Sequence, residues 1–414
     1  MGIDLIFAAD ALHPPLTGIG RYSLELARRL EHSDRVARMR YFAMGQWLPS
    51  PIASLERNLE QPPDSAADLS TRPASDTLQR WRRQLSGNRV AVRAYHALSP
   101  WLFGWRLRGN RNAIFHAPNY FVPPFDGRTV STVHDLSHIR HPEFHPRARV
   151  DYMNLALPPS LRRTDHVITV SQATRQEFLT LFPHWEEDRV TAILLAADAA
   201  FHPRSTESIA PALHMLHQTP GNRRTPDASP CPLVPGRYSL FVGTIEPRKN
   251  IDRLLTAYSQ LPQTLRREYP LVIAGSQGWQ SESTHRRIAQ AQDEGWLHYL
   301  RFVPQTLLPH LYAGAALFIY PSLYEGFGLP IVEAMASGVP VITSATSSMP
   351  EVAGGAARLV NPLQTEDIRH AIVQCLEDTG WRSHAIQAGL QRASQFSWDT
   401  CVAQTIGTYQ KLSP

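Results

Sequence analysis

The chain has 414 residues, 43% of them hydrophobic, and carries a formal net charge of +5. That length suits two domains of ordinary size, and no apolar run reaches the roughly 18 residues that a membrane-spanning helix needs. Cys231, Cys375 and Cys401 are scattered, without metal or disulfide spacing, which fits a reducing cytosol rather than a disulfide scaffold.

The chain opens with MGIDLIFAAD, which lacks a basic n-region and reads as a strand (Ile3–Ala8), not a signal peptide. Ile6 stands where a myristoylation signal needs Ser or Thr. A loop from Asp10 to Gly20 follows, then an amphipathic helix from about Arg21 to Leu30. The loop holds Thr17-Gly18-Ile19-Gly20, and glycines between a first strand and a first helix let backbone approach a phosphate or a sugar. A plain tight turn uses the same residues.

Residues 49–78, rich in Pro, Ser, Ala and acid, read as a variable loop. From Leu78 to Asn112 come Arg80, Arg82, Arg83, Arg89, Arg93, Arg106, Arg108 and Arg111, interleaved with Trp81, Trp101, Phe103 and Trp105 and with no Asp or Glu. No nucleic-acid motif accompanies them. Two readings stand: a solvated helical face over buried tryptophans, or a basic aromatic surface against an anionic bilayer or lipid diphosphate.

Strands resume at Ala113–His116, Thr129–His134 and Asp165–Ser171, with His134-Asp135 at a strand's carboxyl end, where open α/β sheets place ligands. Asp135 could orient His134 or fix its loop. His138, His141 and His145 invite a metal reading, but Pro142 and Pro146 break any helix that would align them. Residues 204–232 have turn-forming composition and little periodicity and read as a flexible connector. A second α/β alternation follows, with strands at Tyr238–Val242, Leu271–Ala274, His298–Val303, Leu317–Tyr320, Val339–Thr343 and Ala357–Val360. Phe396–Leu412 is an apolar-periodic helix containing Trp398.

The most informative stretch runs from Phe318 to Val341. It reads as a strand, a glycine turn, and a helix that Pro330 starts and Gly338 stops. Glu325 and Glu333, eight residues apart, would lie about 80° off a common helix face. Glu325 therefore belongs to the turn and Glu333 to the first turns of the helix. Between them the N–H groups of Gly326 to Leu329 sit at a positive helix end, a seat for an anion. Acids beside an anion site suit a ligand with phosphates and hydroxyls, such as a nucleotide-sugar. Lys249 also stands out, because Lys249 and Lys411 are the only lysines among 41 basic residues, a skew that a GC-rich genome accounts for.

With Thr17–Tyr22 (TGIGRY), His134-Asp135, Gly243–Asn250 (GTIEPRKN), Ala274-Gly275-Ser276 and Glu325–Glu333 (Glu-x7-Glu) in this order, the chain resembles the retaining glycosyltransferases of family 4 over almost its whole length. The resemblance implies the GT-B fold, two facing Rossmann-like domains. The first would span 1–203 and take the acceptor, a linker would span 204–234, and the donor domain 235–395. The helix 396–414 would cross back to the first domain.

It also implies roles. Arg248 and Lys249 would neutralise the donor diphosphate, with Gly18, Gly20, Gly243 and the N–H groups of Gly326, Phe327, Gly328 and Leu329 approaching it or the sugar. Glu325 would bind hydroxyls of the transferred sugar, Glu333 the ribose, and Val303 the nucleobase, with His134 near the reaction centre. Many relatives carry Arg where this chain has Thr244, and Arg248 would then supply that charge.

Within the family, the resemblance is nearest to bacterial surface-polysaccharide mannosyltransferases. That implies GDP-mannose as donor and a lipid-diphosphate-linked glycan as acceptor, with the protein cytoplasmic or peripheral on the inner membrane through 78–112. It implies no metal, no cofactor and no nucleic acid. A nucleotide-sugar epimerase of the same shape, or a non-catalytic nucleotide-sugar binder, are the alternative classes. The full Glu-x7-Glu speaks against the first, and the presence of His134, Lys249 and Glu325 against the second.

Overall fold

Leu271–Ala274 and Leu317–Tyr320 are apolar at every position and fully buried, as expected of parallel strands with helices on both faces. The computed structural model of the chain describes residues 2–13, 16, 18–60, 102–218, 233–301 and 303–413. It forms two such sheets. The first has seven strands in the order β3-β2-β1-β4-β5-β6-β7, from β1 (Ile3–Ala8) to β7 (Val190–Ala192), with β2 at Val36–Ala43 and β6 at His166–Thr169, all parallel except β3 (Gln46–Leu48) at the edge. The second has six parallel strands in the order β10-β9-β8-β11-β12-β13, from β8 (Ser239–Val242) to β13 (Arg358–Val360), with β9 at Leu271–Ala274, β10 at Leu297–Leu300 and β12 at Val341–Ser344. Both carry the doubly wound order, with a topological switch between β1 and β4 (Ile114–Ala117) and between β8 and β11 (Leu317–Tyr320). Ligands bind at the strand carboxyl ends beside such switches. The segments after β1, after β5 (Arg128–Val133), after β8 and after β11 all lie there. This is the GT-B arrangement.

The last helix, Trp398–Leu412, crosses from the second half to pack on the helix Gly18–Glu31 of the first. Ser397 caps its start, Arg29 lies over the Trp398 ring, and Arg29 Nε donates to Asp399 at 3.3 Å. At its far end the Tyr409 hydroxyl meets His116 Nδ1, and His116 Nε2 is 2.9 Å from Thr132 Oγ1, which also contacts the Tyr22 hydroxyl at 3.0 Å. This buried polar chain ties the crossing helix to β4, β5 and the first helix without a charge.

Three sequence expectations change. The first helix begins at Gly18, so Gly18 and Gly20 form its opening turn and are not loop residues. The stretch read as a variable loop contains a helix, Ile52–Glu60, with Ile52 and Leu55 buried. The connector beginning at 204 is in its first part a helix, Thr206–Gln218, whose Ile209, Leu213 and Leu216 are buried in the main core. Their spacing is helical, but the surrounding Pro, Ser and Gly composition masks it. Thr17, residues 219–232 of the connector, Cys231, and the arginine-rich segment through Trp101 lie outside the described residues.

Burial lowers the pKa of His116 from 6.5 to about 3, and His134 adds to the effect. The unfolded chain takes up that proton near pH 6.5, whereas the folded chain holds out to about pH 3. Stability therefore falls as the pH drops through this window, by up to ~1.4 kcal/mol per pH unit for this group. Denaturant unfolding at pH 7, 6 and 5 should show a shallower loss in His116→Gln than in the wild type. Equal slopes would contradict a neutral buried imidazole.

Candidate active site

The site is built from the loop after β8. Gly243 donates to Ala274 at 2.9 Å and Ile245 to Ser276 at 3.0 Å, extending the β8–β9 pairing past the strand ends. Pro247–Lys249 then make a single 3-10 turn. Asn250 ends it in the left-handed region (φ 59°), a conformation Asn tolerates. Its side-chain amide donates to the Pro321 and Pro362 carbonyls at 2.9 and 2.7 Å. Leu323 N–H donates to the Arg248 carbonyl at 2.8 Å. These bonds press Arg248 and Lys249 against the loop that follows β11.

Both cations meet the same carboxylate. Arg248 Nη1 donates to Glu325 Oε2 at 2.6 Å and Lys249 Nζ to Glu325 Oε1 at 2.6 Å. The Tyr320 hydroxyl donates to Oε1 at 2.9 Å and also receives Lys249 Nζ. Arg248 Nη2 donates in addition to Glu246 Oε1 at 2.7 Å. Burial alone would push the Glu325 carboxyl up, but Arg248 and Lys249 hold it down at about 2. Lys249 is lowered, by its own burial first and by the Arg248 charge second, against the pull of Glu325.

The next three residues turn the chain into the helix Leu329–Ala336. Gly328 has a φ of 102°, which a side chain would strain. Among the described residues, no acceptor lies against the backbone N–H groups of Gly326, Phe327, Gly328 and Leu329. Ser348 Oγ lies 2.8 Å from the carbonyls of both Glu325 and Phe327, holding those carbonyls away from the cleft. The result is a set of free donors beside two cations, a site shaped for an anion.

The same loop joins the two halves of the molecule. Ser171 Oγ and Thr174 Oγ1, at the start of the helix Gln172–Leu181, donate to the Gly326 carbonyl at 2.6 and 3.0 Å. Glu351 accepts the first N–H groups of that helix, Gln172 at 2.9 Å and Ala173 at 3.0 Å. Leu136 N–H donates to the Tyr324 hydroxyl at 3.2 Å, and that hydroxyl donates to Glu177. A Cβ on Gly326 would lie 1.8 Å from the His134 carbonyl oxygen.

The other predicted residues are distributed around this centre. The His134 ring is buried, with Nε2 2.7 Å from the Pro118 carbonyl, which makes Nε2 the protonated nitrogen and leaves Nδ1 as an acceptor. Burial lowers its pKa, so the imidazole is neutral. Asp135 fixes the loop and does not bond the imidazole: its Oδ1 accepts from Ser137 N–H at 3.0 Å and Ser137 Oγ at 2.7 Å. Glu333 stands apart from the cluster. It takes Arg21 Nη1 at 3.3 Å and the Tyr312 hydroxyl at 2.8 Å. Burial raises its pKa against the Arg21 charge.

Val303 is partly buried against the main core. Gly18 faces open space, and Gly20 packs against the Ala11 carbonyl. His145 Nε2 is 2.7 Å from Ser137 Oγ, and among the described residues no group of three or more His, Cys, Asp or Glu is placed to hold a metal. The sequence reading missed Tyr320, Glu246 and Arg21. Arg21 lay in plain view inside TGIGRY, while Tyr320 looked like one more strand aromatic.

Residues 234–392 match the family model for glycosyl transferases group 1. The chain is also 38% identical over 410 residues to O-antigen chain mannosyltransferase B of Escherichia coli, covering 99% of this chain and 100% of that one. The chain belongs to the group 1 glycosyltransferases. Serotype-specific mannosyltransferase WbdA of Escherichia coli is 31% identical over 310 residues, 72% of this glycosyltransferase and 36% of that protein. Among solved structures, Anabaena HepE in complex with UDP and glucose superposes with a TM-score of 0.65 at 18% identity, over 99% of this chain and 100% of that one, a likeness of fold. Membership in this family does not favour the epimerase or the non-catalytic reading.

The docking of the 326 loop on the His134 carbonyl predicts a specific failure. Gly326→Ala should lower the melting temperature, enlarge the radius of gyration in X-ray scattering and reduce glycosyl transfer at least 10-fold, with secondary structure by circular dichroism retained. A variant of unchanged radius and activity would contradict this docking.

Proposed function

We propose that this glycosyltransferase moves mannose from GDP-mannose to a hydroxyl of a growing O-antigen-type glycan, with retention at the anomeric carbon. The observation that carries the reading is the pairing of Arg248 and Lys249 with Glu325 beside free N–H donors at a helix start. Negative charge grows on the diphosphate as the sugar–phosphate bond breaks. Cations fixed at that point act in the transition state more than in the ground state. The choice of mannose and of an O-antigen acceptor draws on the name of the Escherichia coli relative matched over the full length.

In this reading the diphosphate lies between Arg248, Lys249 and the N–H groups of Gly326 to Leu329, with Gly18 and Gly243 leaving room for it. It takes over the cations that Glu325 holds in the free protein, and the Glu325 carboxylate turns to hydroxyls of the mannose. Glu333 receives the ribose and the backbone at Val303 the base. Two side-chain cations and the free N–H groups supply the positive charge, so we propose that no metal or cofactor is needed.

A retaining glycosidase uses a second carboxylate as nucleophile; here Glu246 is held by Arg248 and Asp135 by Ser137, and we propose a front-face path instead. The acceptor oxygen bonds to the anomeric carbon on the side the diphosphate leaves. The bonding pair of the broken C–O bond goes to the diphosphate oxygen, and that oxygen takes the acceptor's proton. The neutral His134 ring offers Nδ1 as an acceptor for a hydroxyl near the reaction centre.

We further propose a lipid-diphosphate-linked acceptor, met at the cytoplasmic face of the inner membrane. No helix among the described residues is long and apolar enough to cross a membrane. The described part of the arginine-rich segment exposes Leu102 and Trp105 next to Arg106 and Arg108, a composition suited to a peripheral contact with anionic lipid.

The test is a donor panel with a short lipid-linked mannan acceptor, read by mass spectrometry and by the anomeric couplings of the product. Transfer from GDP-mannose with an α-linked product is expected. Transfer from UDP-sugars alone, an inverted product, or isomerised donor without acceptor product would overturn it.

A further inference from the structure

Arg21 is the residue the assigned roles leave unexplained. It lies one position after Gly20 in the opening turns of the helix Gly18–Glu31, yet its side chain reaches into the opposite half. Nη1 donates to Glu333 Oε1 at 3.3 Å, and Nη2 donates to Gln305 Oε1. The Glu333 side chain is 5% exposed and that of Arg21 28%. Glu333 Oε2 is already committed to the Tyr312 hydroxyl. Oε1 is thus the oxygen at which a ligand hydroxyl and Arg21 compete. Gln305 lies two residues beyond Val303, so the guanidinium bridges the segments assigned above to ribose and base. The other charged neighbour of Glu333 is Asp198, whose like charge makes the acid harder to leave unpaired.

The Arg21–Glu333 contact is long and single, whereas guanidinium–phosphate pairs are shorter and frequently bidentate. Gly18, one turn before Arg21, has no atom within 4 Å of where a Cβ would stand, so space remains on that side of the helix start. We propose that Arg21 is an exchange residue: it spans the nucleotide site and neutralises Glu333 in the free enzyme, then passes its guanidinium to the donor diphosphate and releases Glu333 to the ribose. This rests on reading the site as a nucleotide-sugar site. A nucleoside without phosphates must break the Arg21–Glu333 pair and offers nothing in return. A nucleoside diphosphate breaks it and recovers the charge. The pair is therefore a selector for diphosphates, built from the half of the molecule that carries no other donor-binding charge.

Losing Arg21 should weaken the diphosphate without weakening the nucleoside. Calorimetric titrations would use GDP and guanosine, with UDP and uridine as the second pair, on wild type, Arg21→Ala and Arg21→Gln. The Gln variant keeps a neutral hydrogen-bond donor toward Glu333. Arg21→Ala should weaken the bound diphosphate at least 10-fold while nucleoside affinity stays the same or rises. Raising salt should weaken the diphosphate more steeply in wild type than in either variant. Arg21→Gln should resemble Arg21→Ala for the diphosphate, which separates lost charge from lost folding. Equal weakening of nucleoside and diphosphate, or an unchanged diphosphate affinity, would overturn the exchange while leaving the donor site in place. If neither diphosphate binds the wild type, the donor-site reading itself fails and the exchange with it.

Discussion

One buried carboxylate shared by two buried cations organises this molecule. Glu325 would be costly to ionise at its depth without Arg248 and Lys249, and either cation would be costly to bury without Glu325. Breaking such a buried arrangement by removing one partner costs about 3–5 kcal/mol. The free protein therefore stores positive charge at the site by neutralising it internally. In the proposed function a diphosphate, with more charge and more acceptor oxygens than one carboxylate, competes for those cations, and the acid that loses them accepts hydroxyls.

This arrangement requires the loop after β11 to be held from both sides. Asn250 and the Arg248 carbonyl fix it within the second half, while Ser171, Thr174 and the His134 backbone receive it from the first. Gly326 is the only residue type that fits where the two halves touch. The crossing helix Trp398–Leu412 holds the halves in register from behind, through a polar chain that carries no charge. The candidate site thus lies where the two halves touch, at a loop held by residues of each.

Much of this was legible in the sequence because the physical signals there are local. Apolar runs gave most strands to within a residue or two, and Pro330 and Gly338 bracketed the helix of the Glu-x7-Glu motif. Lys249 stood out against an arginine-dominated composition. The signals that failed were those in which composition and periodicity disagreed. Ile209, Leu213 and Leu216 form a buried helical stripe inside a segment whose Pro and Ser content suggested a connector. The pairings Arg21–Glu333 and Arg248–Glu325 join residues 312 and 77 positions apart, and no spacing rule reaches that far. Asp135 was open between two roles until its hydrogen bonds to Ser137 decided for the loop.

The measurement that bears most directly on the account is a crystal structure of the protein with GDP and mannose, or with a non-transferable GDP-mannose analogue. The diphosphate is expected on Arg248, Lys249 and the N–H groups from Gly326 to Leu329, with Glu325 turned to sugar hydroxyls. A nucleotide bound elsewhere, with the Arg248–Lys249–Glu325 contacts intact, would contradict it.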